Sequence, residues 1–211
     1  VVFVNCSGSA IAMPWEAGHL PAIVQAWYPG EEGGRAVAEI LFGEVNPAGR
    51  LPITFYRSTD DLPPFVDYSM SNRTYRYFDG KPLFAFGHGL SYTRFNYANL
   101  HVTSGTGDGG VRLTASVDVT NAGERDGDEV VQLYLREPAA AHPRARESLG
   151  GFQRIHLGRG ETKTVTFAVT DTTLRRWSEE KKDYAIPRGE WHVLVGASSA
   201  DIRQDSPAPI D

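Results

Sequence analysis

The chain has 211 residues, a formal net charge of −5 and an apolar and aromatic content ordinary for a globular protein, which allows one or two domains with a real core. No run of Lys and Arg supplies the basic face that a nucleic acid or an anionic membrane requires, and no apolar stretch approaches the roughly 20 residues that span a bilayer. Cys6 is the only cysteine, which excludes an internal disulfide and a cysteine zinc cluster.

Residues 1–56 read as α/β. Val1-Val2-Phe3-Val4-Asn5 is a continuous apolar run, the pattern of a strand covered on both faces. It stands at the head of the chain with no methionine and no lead-in turn, and the expectation is the tail of a longer protein. Leu20 to Trp27 suggests a second buried strand. Gly33 to Phe42 is predicted helical, with Ala36, Val37, Ile40 and Leu41 on one face and Arg35 and Glu39 on the other. Gly43 suits the left-handed residue that ends a helix, Asn46-Pro47-Ala48-Gly49 is a turn, and Leu51 to Phe55 resumes an extended path. So few elements cannot cover both faces of a parallel sheet, which places the missing layers upstream.

Residues 57–96 are loop-like and rich in Pro, Gly, Tyr and Phe. Tyr75, Tyr77, Phe78, Phe84, Phe86, Tyr92 and Phe95 are too many aromatics for a free linker, so this connector is expected to pack on a neighbour. From 97 to 211 the pattern becomes short alternating strands. Val111, Leu113, Ala115, Val117 and Val119 alternate with polar residues, as do Val131, Leu133 and Leu135, and Val165, Phe167 and Val169. Turn signals at Asn121-Ala122-Gly123 and Pro187-Arg188-Gly189 separate them. The pattern is that of an all-β sandwich following an incomplete α/β layer, with Gly105 to Gly110 as a hairpin tip and Trp191 pointing inward.

The residue chemistry offers several sites and favours the structural reading for most. Glu31-Glu32 precedes a helix start, where negative charge suits the dipole. Asp60-Asp61 and Asp79-Gly80 read as turns. Glu16 sits near a strand end and is read as structural. Cys6 reads as a small buried residue rather than a nucleophile, lacking a diagnostic His. Ser7-Gly8-Ser9 is not a nucleophile elbow. Gly30-Glu31-Glu32-Gly33-Gly34 is not a dinucleotide fingerprint, because its carboxylates stand where pyrophosphate would sit. No His/Asp/Glu spacing suits a metal, so neither metal nor cofactor is expected.

Longer stretches carry a resemblance. Ala26-Trp27-Tyr28-Pro29-Gly30-Glu31-Glu32-Gly33-Gly34, then Ile40-Leu41-Phe42-Gly43-Glu44-Val45-Asn46-Pro47-Ala48-Gly49-Arg50-Leu51-Pro52, resemble the C-terminal sandwich domain of glycoside hydrolase family 3. Pro82 to Thr93 (PLFAFGHGLSYT) resembles the family's PFGxGLSYT stretch. Val117 to Gly123, Asp128 to Tyr134 and Gly151-Phe152 resemble its fibronectin type III-like module. The resemblance implies a retaining exo-β-glycosidase that removes terminal glucose or xylose and needs no cofactor. It implies an N-terminal barrel carrying the nucleophilic aspartate, and a catalytic glutamate on a loop shortly before the strand matching Val1 to Asn5. Both catalytic carboxylates then lie outside these residues, and the partners are the upstream barrel and sandwich domains and an oligo- or disaccharide. A periplasmic or secreted location is favoured over a cytoplasmic one.

Within the chain the substrate-rim candidates are Arg73, Tyr75 and Arg76, since aromatic faces stack on sugars and Arg donates to hydroxyls. The competing reading makes this loop a cement between domains. The RTYR stretch is similar to that of the family's xylosidase-like branch, whereas His88 stands where many relatives have tyrosine. Arg136 to Gly151, with Pro138, His142, Pro143, Arg144 and Arg146, is a long loop that reads as a solvated edge or a contributor to the rim. The alternative to an enzyme part is a carbohydrate-binding or adhesion module, which requires a planar aromatic row from Trp177, Tyr184 and Trp191. A third reading is a dimerisation domain.

Overall fold

A computed structural model describes residues 1–105, 110–138 and 145–210. The α/β segment contains two short parallel strands, β1 (Val2–Asn5) and β2 (Ala22–Gln25), in register from Val2↔Ala22 to Asn5↔Gln25. They are joined through α1 (Pro14–His19) and followed by α2 (Gly33–Leu41). Their apolar faces stay open: Asn5 is the only buried residue of β1, while Val2, Trp15, Tyr28, Leu41 and Phe42 are exposed. Ala36 and Leu41, placed by periodicity on the inward face of α2, therefore meet solvent. Glu16 lies on α1 and not at a strand end, because Pro14 starts a short helix there.

The end of α2 follows its sequence signal. Gly43 takes φ +77°; its N–H donates to the Ile40 carbonyl at 3.0 Å, and the Glu44 N–H donates to the Glu39 carbonyl at 2.8 Å. These two bonds form a Schellman cap, which a left-handed glycine permits. Glu32 occupies the N-cap position without a side-chain capping bond, so its influence there is that of charge near the helix dipole.

The sandwich has seven long strands. β3 (Phe95–Ser104), β4 (Val111–Asn121) and β7 (Thr162–Thr170) form one antiparallel sheet in the order β3-β4-β7. β5 (Gly127–Arg136), β6 (Ser148–Leu157), β10 (Gly189–Ser198) and β11 (Asp201–Ile210) form the other, in the order β11-β10-β5-β6. A one-turn helix, α4 (Asp171–Leu174), and a small hairpin of β8 (Arg176–Ser178) and β9 (Asp183–Ala185) connect β7 to β10. The inward residues of both sheets meet in one core, with Val117, Val131, Leu133, Trp191, Val193 and Val195 fully buried. Trp191 keeps its indole N–H satisfied by donating to the Pro187 carbonyl at 2.8 Å, as a buried Trp requires.

The aromatic connector lies across the outer face of the four-stranded sheet. It has one short helix, α3 (Thr74–Tyr77), a 3-10 turn at Thr59–Asp61, and an isolated bridge between Phe55 and Phe84. Alternation along β5 places Gln132 and Tyr134 opposite the core residues Val131, Leu133 and Leu135, where an uncovered sheet would meet water. Both are buried, as is Leu194 on β10, because the connector covers them.

Candidate functional site

The chain's most elaborate side-chain chemistry lies where the connector and the α/β segment meet the sandwich. Arg50 reaches across to Glu129 at 2.8 Å, and both side chains are almost fully buried. Burial pushes the Glu129 carboxyl up, while Arg50 pulls it back. Tyr97, whose phenol is buried, is pushed up by the same desolvation and by Glu129. Nearby, the Asn46 carboxamide oxygen accepts from Ser91 Oγ (2.9 Å) and the Tyr92 N–H (2.8 Å), while its Nδ2 donates to the Asp126 carbonyl (2.9 Å). Arg125 donates to the Gly43 carbonyl. Asn121, at the end of β4, accepts from Thr93 Oγ1 at 2.6 Å and donates to the Arg125 and Leu157 carbonyls.

A second group of contacts pins the connector to the outer sheet. The Tyr75 ring stacks on Phe86 at 4.3 Å between centroids and meets Tyr134 edge-on at 6.0 Å. The Tyr75 hydroxyl accepts the Leu149 N–H at 2.9 Å. Tyr134 donates to Gln132 Oε1 at 2.6 Å, and Gln132 Nε2 donates to the Gly87 and Ala197 carbonyls. Gly87 has φ +81°, and a Cβ there would stand 2.0 Å from Gln132 Oε1, so this approach requires glycine.

The three rim candidates make different contacts in this arrangement. Arg73 donates to the carbonyls of Pro64, Asp67 and Ser69, holding an ordered loop on whose outside Phe65 and Tyr68 are 93% and 91% exposed. Tyr75 lies in the aromatic stack. Arg76 is half-buried with its guanidinium over the Tyr77 ring at 5.3 Å, and its backbone carbonyl accepts the Arg146 N–H.

Beside Tyr75 opens a cleft of about 610 Å³ between connector and sandwich. Its wall includes Glu147, which is 9% exposed and whose ion-pair partner among the described residues, Arg136, stands 4.0 Å away. Desolvation pushes the Glu147 carboxyl up to about 7, against the pull of Arg136 and Arg146. Sequence reading missed Glu147 as an individual, although it lies in the Arg136–Gly151 loop. Its only signal is a carboxylate directly before the β6 pattern. His142, Pro143 and Arg144 of that loop lie outside the described residues, as does most of the Gly105–Gly110 tip.

The remaining sequence candidates are resolved by contacts. Cys6 is exposed rather than buried, since no layer covers the end of β1. The Ser7 hydroxyl accepts from Asn5 and Gln25 and donates to the Ser9 carbonyl, which occupies it structurally. Asp61 caps its own turn by accepting the Ser58 N–H, and Asp79 pairs with Arg146 at 3.3 Å. Trp177 and Tyr184 are exposed on the small hairpin, but their rings are inclined at 78° and Trp191 is in the core, so the three make no planar row. Among the described residues no group of three or more His, Cys, Asp or Glu could hold a metal ion.

Comparison with known proteins places this architecture. The profile of the Glycosyl hydrolase family 3 C-terminal domain matches residues 1–92, and that of the Fibronectin type III-like domain matches residues 129–199. The chain belongs to glycoside hydrolase family 3. Its relatives within the family include a xylan 1,4-beta-xylosidase of Xylanibacter ruminicola, 45% identical over 95% of this chain and 23% of that protein. A periplasmic beta-glucosidase of Salmonella typhimurium is 38% identical over 98% of this chain and 28% of its own length. The family 3 chain thus spans about a quarter of the curated relatives it matches. Among solved structures, the beta-D-glucoside glucohydrolase of Trichoderma reesei superposes with a TM-score of 0.91 at 31% identity, over 100% of this chain and 34% of that one. Beta-glucosidase 3B of Thermotoga neapolitana also gives 0.91, at 30% identity, over 99% of this chain and 31% of that one.

Proposed function

We propose that the chain is the C-terminal part of a retaining exo-β-glycosidase that hydrolyses terminal β-D-glucosyl or β-D-xylosyl residues in plant polysaccharide breakdown. In this reading residues 1–56 complete an α/β sandwich, residues 57–96 bind it to the next unit, and residues 97–211 form the fibronectin type III-like sandwich. The part is structural: it buttresses the cleft between upstream domains that hold the reacting groups. The observation that carries the reading is the match over nearly all of this chain to a protein named a xylosidase and to another named a beta-glucosidase.

The site chemistry supports the structural role. Retaining hydrolysis needs two carboxyl groups about 5–5.5 Å apart, one attacking the anomeric carbon and one protonating the leaving oxygen. Glu147 has the raised pKa that suits a general acid, yet among the described residues lining its cleft there is no second carboxylate. Arg73 and Tyr75 spend their polar groups on protein partners. The RTYR stretch favours xylosides over glucosides. The test is hydrolysis of nitrophenyl β-xyloside and β-glucoside, by the full-length gene product and by the 211-residue chain. Turnover is expected from the first and none from the second; turnover by the chain alone overturns the structural role.

A further inference from the structure

The cleft beside Glu147 has the volume and chemistry of a ligand site that no step above uses. Its volume of about 610 Å³ lies within the roughly 300–1,000 Å³ of small-molecule pockets. The Thr54 side chain lines it at 7% exposure, and its buried Oγ1 has no hydrogen-bond partner among the described residues. A buried hydroxyl left unpaired is costly, so an orphan at a cleft wall marks a place for an incoming polar group. Glu147 adds a carboxylate to the same cleft, with Arg136 4.0 Å away.

The charges around the cleft argue for an uncharged ligand. Arg146 is already engaged by Asp79 at 3.3 Å and by the Phe78 carbonyl at 3.2 Å. Arg136 stands between Glu147 and Asp205, 4.0 Å from each. An anion would meet the Glu147 carboxylate, and a cation would meet two guanidinium groups. The lining also includes the apolar side chains of Phe78, Pro82 and Ala85. Hydrogen-bonding groups together with C–H-facing surface in one cleft match a neutral polyhydroxylated ring.

We propose that this cleft binds a neutral mono- or disaccharide, with Glu147 accepting from and Thr54 donating to its hydroxyls and the apolar side chains taking its C–H face. The proposal stands on the cleft alone and holds whether or not the full-length protein cleaves glycosides. Hydrogen-exchange mass spectrometry of the full-length gene product tests it, with D-xylose and D-glucose at about 0.1 M and sodium phosphate as the charged probe. The sugars are expected to slow exchange in peptides spanning residues 75–86, 145–149 and 199–202, and phosphate to leave them unchanged. Thr54→Val removes the orphan hydroxyl at constant shape, so it should keep the fold and weaken the sugar midpoint about tenfold, the worth of one hydrogen bond. Glu147→Gln should weaken it by a similar factor. Absence of protection in these peptides, protection by phosphate instead, or midpoints unchanged in both variants would each overturn the proposal.

Discussion

In the sandwich, Val117, Val131, Leu133 and Trp191 are fully buried among one another. In the first 45 residues Met13 is the one buried apolar side chain. Both stretches are rich in apolar residues, so composition does not separate them. Layering does: two facing sheets exclude water from the space between them, whereas one parallel strand pair with short helices leaves its faces open. Apolar residues in the sandwich already stabilise it; those in the α/β segment are placed to do so only against a further layer.

The largest effect should come from the sandwich core. Trp191→Ala removes a fully buried indole and its bond to Pro187, and should cost ~4–5 kcal/mol, the upper part of the range for large-to-small core changes. A urea titration of the chain should show this as a lower midpoint. A loss below ~1 kcal/mol would mean that the two sheets do not form one core.

Next comes the junction. Arg50→Met leaves the Glu129 carboxylate buried without its cation and should cost ~3–4 kcal/mol, whereas the double change with Glu129→Leu should recover most of that. The pair of single and double variants, compared by denaturant midpoint, distinguishes a buried charge left alone from a simple loss of packing. Glu147 adds a pH dependence. Its folded-state value, raised to about 7 from 4.5, means that the folded state holds the proton more tightly than the unfolded one. Stability is therefore full below pH 4.5 and falls as pH rises to 7, by up to roughly 3 kcal/mol. Glu147→Gln should flatten that fall; an unchanged slope would assign it to other groups.

These junction residues also mark where the sequence stops being informative. The β4, β5 and β7 stripes are readable because each inward residue repeats every second position and the partner sheet is built the same way. The Gly43 cap is readable because all its atoms lie within six residues. Gln132 and Tyr134 are not: alternation assigns them to the wet face, and only the connector packed above reverses that. Arg50 and Glu129 are 79 positions apart, and neither residue carries a local sign of its partner. The crowding of aromatics between Phe55 and Phe95 shows that the connector packs down, but not onto which face. The same limit explains Cys6, whose small apolar character suggests burial that no neighbouring layer in these residues provides.

The smallest expected effect sharpens the comparison most. Phe42 is as apolar as any residue of the sandwich core, yet it is 84% exposed just after α2. Phe42→Ser in the 211-residue chain should change stability by less than about 0.5 kcal/mol, as for surface substitutions generally. The same change in the full-length gene product should cost ~2–4 kcal/mol if an upstream layer packs on Phe42, approaching the loss of a buried aromatic. Thermal melts of the two lengths, each with and without the substitution, give the coupling directly. Equal effects in both would leave Phe42 a solvent-facing residue in either context and would remove the buttressing role assigned to this segment. A larger effect only in the longer protein would place the covering layer against α2.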